Sequence, residues 1–212
     1  PYAIYILPPS IGQDPSPRQA PPIGYDPDAA DNYPANLDTV PAGMTYKLRP
    51  DEAIVLIGNT PPPARYFSFR SYLGFVENKP GKDYTGTPTF GDDEIGWYHR
   101  IYCSLGDPLN HLNMWTSNTP GGAAGNACGS ATVLITTADR GINRMMRDAL
   151  TAAGYSPDII NDDNIPPSLV HMGLEKGKDT FLIIMRAALW DQPDVGGSYH
   201  DNIGDPLWVF RI

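Results

Sequence analysis

The 212-residue chain is poor in charge, in cysteine and in long apolar runs. Each scarcity removes a class of function. No stretch reaches the roughly 18 consecutive apolar residues of a transmembrane helix, so no membrane span is expected. Only 18% of residues are charged, and 24 acidic against 15 basic side chains leave a net charge of -9. With no run of Lys and Arg to meet a phosphate backbone, nucleic acid is excluded as a partner. The catalytic signatures G-x-G-x-x-G, Walker loop, H-E-x-x-H, C-x-x-C-H and G-x-S-x-G are also missing, so no cofactor and no metal site is expected. The two cysteines, Cys103 and Cys128, are either one disulfide or a pair of free buried thiols. Low lysine content, abundant Pro, Gly, Asn and Thr, and the possible disulfide point to a secreted or periplasmic protein. A start at Pro1 rather than Met fits a processed chain.

What is present favours strands. The chain holds 23 Pro and 21 Gly, which suit turns and short strands over helices. Around 46–75 two strands read as a pair joined by a proline turn: the apolar run 53–57, then Pro61, Pro62 and Pro63, then an alternating run in which Phe67, Phe69, Ser71 and Leu73 share one face. Further period-2 or wholly apolar runs lie at 98–105, 131–137, 180–190 and 207–212, the third of these the central strand TFLIIMRAALW. One helix is signalled over 139–153 by Ile142, Met145, Met146, Ala149, Leu150 and Ala153, with Asp139 or Thr137 to cap it and Gly154 to end it. These patterns predict a mainly β (α+β) fold: an antiparallel β-sandwich of residues 46–212 with the helix packed on it. Residues 1–45 form a Pro-rich extended arm with a strand at 2–7. The carboxylates of 26–32 read as a solvated acidic turn, without the ligand alternation of a calcium loop.

No catalytic residue can be named. Cys128 in NACGSA leads into a β-branched strand, unlike the helix-borne nucleophile of papain-like proteases. Ser198, His200 and Asp201 are neighbours in sequence, an arrangement that reads as a polar turn rather than a triad. Two long loops, 77–97 and 106–128, are expected to form one rim. Their aromatic and amide residues Trp97, His111, Asn113 and Trp115 suit a carbohydrate or other small polar ligand, since rings cover C–H faces and amides pair with hydroxyls. Asp92, Asp93 and Glu94 would supply carboxylates there.

The order Y-x-L-x-P-D-E-A, an apolar run, then P-x-A-R-Y-F-S-F-x-x-Y-L over 46–73, followed by a G-D-P-L-N loop and the glycine-led strand 129–137, resembles the DUF1214/DUF1254-type β-sandwich module of bacteria, a family without an assigned function. The resemblance implies a jelly-roll-like sandwich and brings no catalytic residues. It spans about 46–137 and stops before the helix. Two functions are expected to compete. In the first the chain is a self-associating structural or binding protein, a homo-oligomer in which the arm adds its strand to a neighbour's sheet and buries Ile4 and Ile6. In the second it is a hydrolase-like enzyme or a binder of a carbohydrate or small polar ligand, with its site on the two loops.

Overall fold

The computed structural model describes residues 2–12, 45–87, 89–92, 96–202 and 205–212. The 26–32 acidic turn, most of the arm, and Asp93 and Glu94 lie outside the described residues. In chain order the elements are β1 (Tyr2–Ile4), β2 (Ala53–Asn59), β3 (Ala64–Glu77), β4 (Thr89–Asp92), β5 (Gly96–Ser104), β6 (Leu109–Asn110), β7 (Ala131–Thr137), α1 (Arg140–Ala152), β8 (Ile160–Asn164), β9 (Thr180–Trp190), α2 (Pro193–Asp201) and β10 (Leu207–Arg211). Among the described residues strand exceeds helix, 39% against 17%, so the expected mainly β class is the observed one.

Two sheets face each other. The first has the order β1-β9-β3-β5-β4, with β6 paired to β3; the second has the order β10-β2-β7-β8. Between them lies one core in which Ile54, Leu56 and Leu134 of the second sheet meet Phe67, Phe69, Phe181, Ile183 and Met185 of the first. The proline turn 61–63 therefore does not join a hairpin. It carries the chain from one sheet to the other, because β2 and β3 each bury apolar faces that a shared two-stranded ribbon would leave wet.

The second sheet is covered on its outer face as well. Ala53, Val55, Val133 and Ile135 point away from the sandwich core and are met by Ile142, Met146 and Leu150 of α1. The Asp139 carboxylate caps the helix by accepting from Ile142 N at 2.8 Å. Its other end closes as the glycine at 154 predicts: Gly154, at φ +97°, donates to Thr151 O at 3.0 Å and Tyr155 donates to Leu150 O at 3.0 Å. The contact stripe of α1 is half-buried and narrower than the periodicity implied, with Met145 at 61% exposure. As a crossover, α1 brings β8 back parallel to β7.

β8 is the element hydropathy hides, since its sequence is INDDN. Asn161 and Asp163 are buried there because every polar group finds a partner. Asp163 accepts from Arg70 Nη1 at 2.7 Å, from Thr136 Oγ1 at 3.1 Å and from the Ser71 hydroxyl, so one carboxylate stitches β3 of the first sheet to β7 and β8 of the second. α2 is likewise absent from the sequence reading. Its Gly196 is required by contact, because a Cβ there would lie 2.1 Å from the Trp190 ring.

Residues 2–10 dock on their own chain. β1 pairs with β9 in the register Ala3↔Met185. Met185 is a core residue, so this register turns Ala3, Tyr5 and Leu7 inward and leaves Ile4 half-buried and Ile6 at 49% exposure. The expectation that Ile4 and Ile6 are the buried pair is thereby corrected: a one-residue offset exchanges the faces of a strand. A buried polar knot then holds the chain beyond β1. Arg211 donates to Glu52 Oε2 at 3.0 Å, Lys47 O at 2.5 Å and Pro8 O at 3.3 Å, while the Ser10 hydroxyl donates to Glu52.

Candidate functional site: a lysine-rimmed groove at the end of the first sheet

At the end of β3 the register Val76↔His99 and Glu77↔Tyr98 continues into an Asn78 N to Trp97 O bond of 2.9 Å. The loop that follows folds back on this pair by local bonds. Lys79 N donates to Tyr84 Oη at 2.9 Å, and Asp83 Oδ1 accepts from Thr85 N at 2.8 Å. Tyr84 is thereby laid on His99, ring centroids 5.0 Å apart. His99 Nδ1 donates to Asn78 Oδ1 at 3.0 Å, which directs the Asn78 amide nitrogen the other way. Burial holds His99 below the usual histidine pKa, so it is neutral near pH 7.

A second segment closes the far wall. The loop entering β9 is tied by Gly173 N to Leu48 O at 2.8 Å, Lys178 N to Glu175 O at 3.2 Å, and His171 N to Asp179 Oδ2 at 2.7 Å. Gly177, at φ +93°, meets the Glu77 carboxylate, and a Cβ there would lie 2.8 Å from Glu77 Oε2. Beneath the loop the buried Lys47 Nζ donates to Glu175 O at 2.5 Å and to Tyr98 Oη at 3.0 Å. Burial lowers the Lys47 pKa to about 8 against the pull of Glu77, Glu175 and Asp179, and it raises that of Tyr98.

Between the two loops is an open groove of about 380 Å³. Glu77 and Asn78 line it beside the rings of Trp97 and Tyr84, with Lys79, Lys82 and Lys176 around it. Trp97 is 50% exposed. Lysines 47, 79, 82, 176 and 178 are all the lysines of the chain. Three line the groove, Lys47 is bonded beneath it, and Lys178 lies within electrostatic reach of Lys47. No basic cluster shows in the sequence because these residues sit in three separated segments. Their signal was only that the lysines come as close pairs, 79 with 82 and 176 with 178, in loops.

Of the four residues singled out for ligand contact, the groove contains Trp97 alone. His111 N bonds Phe67 O at 3.2 Å, and its ring packs on Tyr66 and Phe67 with centroids 5.7 and 6.1 Å away. Asn113 closes its own turn, accepting from Asn110 N at 2.7 Å and donating to Pro108 O at 3.2 Å. Trp115 is pinned through its backbone to Asn161, by bonds of 2.8 Å in each direction. From Phe67 to Glu77 β3 advances about 30 Å at 3.3 Å per residue, so loops 77–97 and 106–128 stand toward opposite ends of one strand rather than on one rim.

The cysteines are both free thiols. Cys103 is exposed on β5 of the first sheet, whereas Cys128 precedes β7 of the second and packs against the core, so the disulfide alternative is corrected. Ser198, His200 and Asp201 lie on α2 rather than in a turn. His200 Nδ1 faces Asp201 at 3.0 Å and Nε2 faces Tyr2 O at 3.0 Å, which leaves no ring nitrogen for Ser198. Among the described residues no three His, Cys, Asp or Glu side chains converge as a metal-binding set. Compared with known protein families, with curated proteins and with solved structures, the chain matches none.

Proposed function

We propose that this chain is a binding module for a small polar organic ligand, taken up in the groove between the 78–87 and 173–179 loops. The observation that carries the reading is Trp97, an indole half exposed on the wall of a groove that it shares with the Tyr84 ring, an amide, a carboxylate and ammonium groups. An aromatic face beside convergent polar groups is the usual make-up of a site for a hydroxylated ligand. Titration of sugars with tryptophan fluorescence tests it. A saturable change that vanishes in Trp97→Ala and persists in Trp115→Ala supports the site; no saturable change with any sugar ends the reading.

Assembly through the arm is a second reading, favoured by one feature. β1 is an edge strand of three residues whose odd-numbered neighbours Ala3, Tyr5 and Leu7 complete the core, and more than 30 residues separate it from the domain it completes. The same strand can dock on the β9 of a second copy without changing a contact. A mass by light scattering that rises with concentration supports exchange, and a monomer at every concentration ends it.

A further inference from the structure

On a surface separate from the groove, we propose that the chain forms a two-fold dimer by pairing β10 with the β10 of a second copy, so that their second sheets join into one. Two open sheets have four edge strands, here β1, β4, β8 and β10. An edge strand pairs readily with another chain unless something blunts it. Three of the four are blunted. β1 has three residues and runs into Pro8 and Pro9, β4 has four residues with Gly91 among them, and β8 carries Asp162 and is followed by Pro166 and Pro167. β10 has none of these devices, for LWVFR holds no proline, glycine or acidic residue. Its one charge, Arg211, is turned inward onto Glu52 with the side chain 3% exposed. Among the described residues no strand lies on its outer edge.

The bonds to β2 fix which backbone groups face outward. Ile212 and Ala53 exchange both bonds, each 2.9 Å from N to O, so in the antiparallel register Phe210 with Val55 and Trp208 with Ile57 do the same. The amides and carbonyls of Leu207, Val209 and Arg211 therefore point to the outer edge. A two-fold axis beside Val209 pairs that residue with its own copy and sets Leu207 opposite the partner's Arg211, so each of these groups gains a partner. The same register puts Trp208 opposite the partner's Phe210 at a non-hydrogen-bonded position, where cross-strand side chains come closest. Trp208 is 63% and Phe210 40% exposed on the outer face of the sheet, so both rings have apolar surface to cover. This self-match selects a second copy as the occupant, because one strand supplies both members of every pair. The contact is one five-residue strand from each side, which keeps the buried area below about 1,200 Å² and the half-dissociation concentration at about 10–100 μM.

Sedimentation equilibrium and residue-resolved hydrogen exchange on the full chain, each from about 10 μM to about 1 mM, test this. The mass should approach that of a dimer, and the amides of Leu207, Val209 and Arg211 should slow about fivefold with concentration while those of Trp208 and Phe210, already bonded to β2, stay unchanged. Val209→Pro removes an outward amide and no bond to β2, a change an edge strand accepts, and should leave a folded monomer. Trp208→Lys/Phe210→Lys sets like charges opposite each other across the axis, whereas Trp208→Lys/Phe210→Glu sets opposite charges there, so the first should dimerise about tenfold or more weaker than the second. These positions are exposed, so the two double variants decide the matter even where Val209→Pro fails to fold. A monomer at every concentration overturns the pairing, and so does a dimer that forms equally well in both double variants. A dimer made by exchange of β1 leaves the three amides unslowed and survives every substitution in β10, and that result also overturns it.

Discussion

Lys47 makes a signed prediction about stability. Its Nζ is buried and bonded to Glu175 O and Tyr98 Oη, and burial brings its pKa from 10.5 to about 8. Below pH 8 the ammonium is present in both folded and unfolded chains, and the folded state bears the cost of burying it. Between about 8 and 10.5 the unfolded chain holds a proton that the folded chain has released, so the wild-type protein gains stability as pH rises through this window. At about 1.36 kcal/mol per pH unit the full gain is about 3 kcal/mol. Lys47→Met removes the charge and also both hydrogen bonds, which contribute about 1 kcal/mol each. The two effects oppose. At pH 7 the variant should be about 1 kcal/mol more stable than wild type, and near pH 10.5 about 2 kcal/mol less, with a crossing between. Urea melts of both proteins at half-unit steps from pH 7 to 10.5 measure this difference, and titration of the shared tyrosines cancels in it. A difference that stays constant over the range would refute a desolvated lysine beneath the groove.

Asp163→Ala leaves the Arg70 guanidinium buried without its partner and should cost about 3–5 kcal/mol, read as a lowered midpoint in urea with unchanged slope. Leu7→Ala should cost about 2–3 kcal/mol although it lies seven residues from the start of the chain, because its side chain is 3% exposed in the sandwich core; thermal unfolding checks it, and a neutral result would mean the arm is not docked in solution. Gly58→Ala should prevent β10 from pairing, since the new Cβ would sit 1.8 Å from Pro206 O, and protease cleavage within 205–212 should rise sharply. Met145→Gln, on the solvent side of α1, should change stability by less than about 0.5 kcal/mol.

Elements whose side chains carry a period were legible. The strands at 53–59, 64–77, 96–104, 131–137, 180–190 and 207–211 repeat their expected runs to within a few residues, and α1 starts and stops at the cap and glycine that its sequence displays. In each, the same local pattern that selects the backbone also selects the buried face. β8 was illegible because INDDN is buried by partners rather than by hydropathy: Asp163 needs Arg70, ninety-three residues earlier, and Asn161 needs Trp115. α2 was illegible because its Gly196 serves the Trp190 ring and its residues form no apolar stripe.

A β-rich chain, one capped amphipathic helix and a strand-competent segment at 2–7 can be read from the order of residues alone. Those properties are local, set by side-chain period, propensity and backbone chemistry within a few residues. Long-range pairing decides which strands share a sheet, which face of 2–7 is turned inward, that Cys103 and Cys128 belong to different parts of the sandwich, and that Lys79, Lys82 and Lys176 line one groove with Lys47 beneath it. Each of these depends on long-range register, and register is chosen by the sum of contacts across two sheets, a quantity no single segment carries. Segments 77–97 and 106–128 show the same division: their turn-forming residues were recognisable, but that the first holds β4 paired on β5, that the second holds β6 paired on β3, and that the two leave β3 at different points along its length were decided by strand pairing.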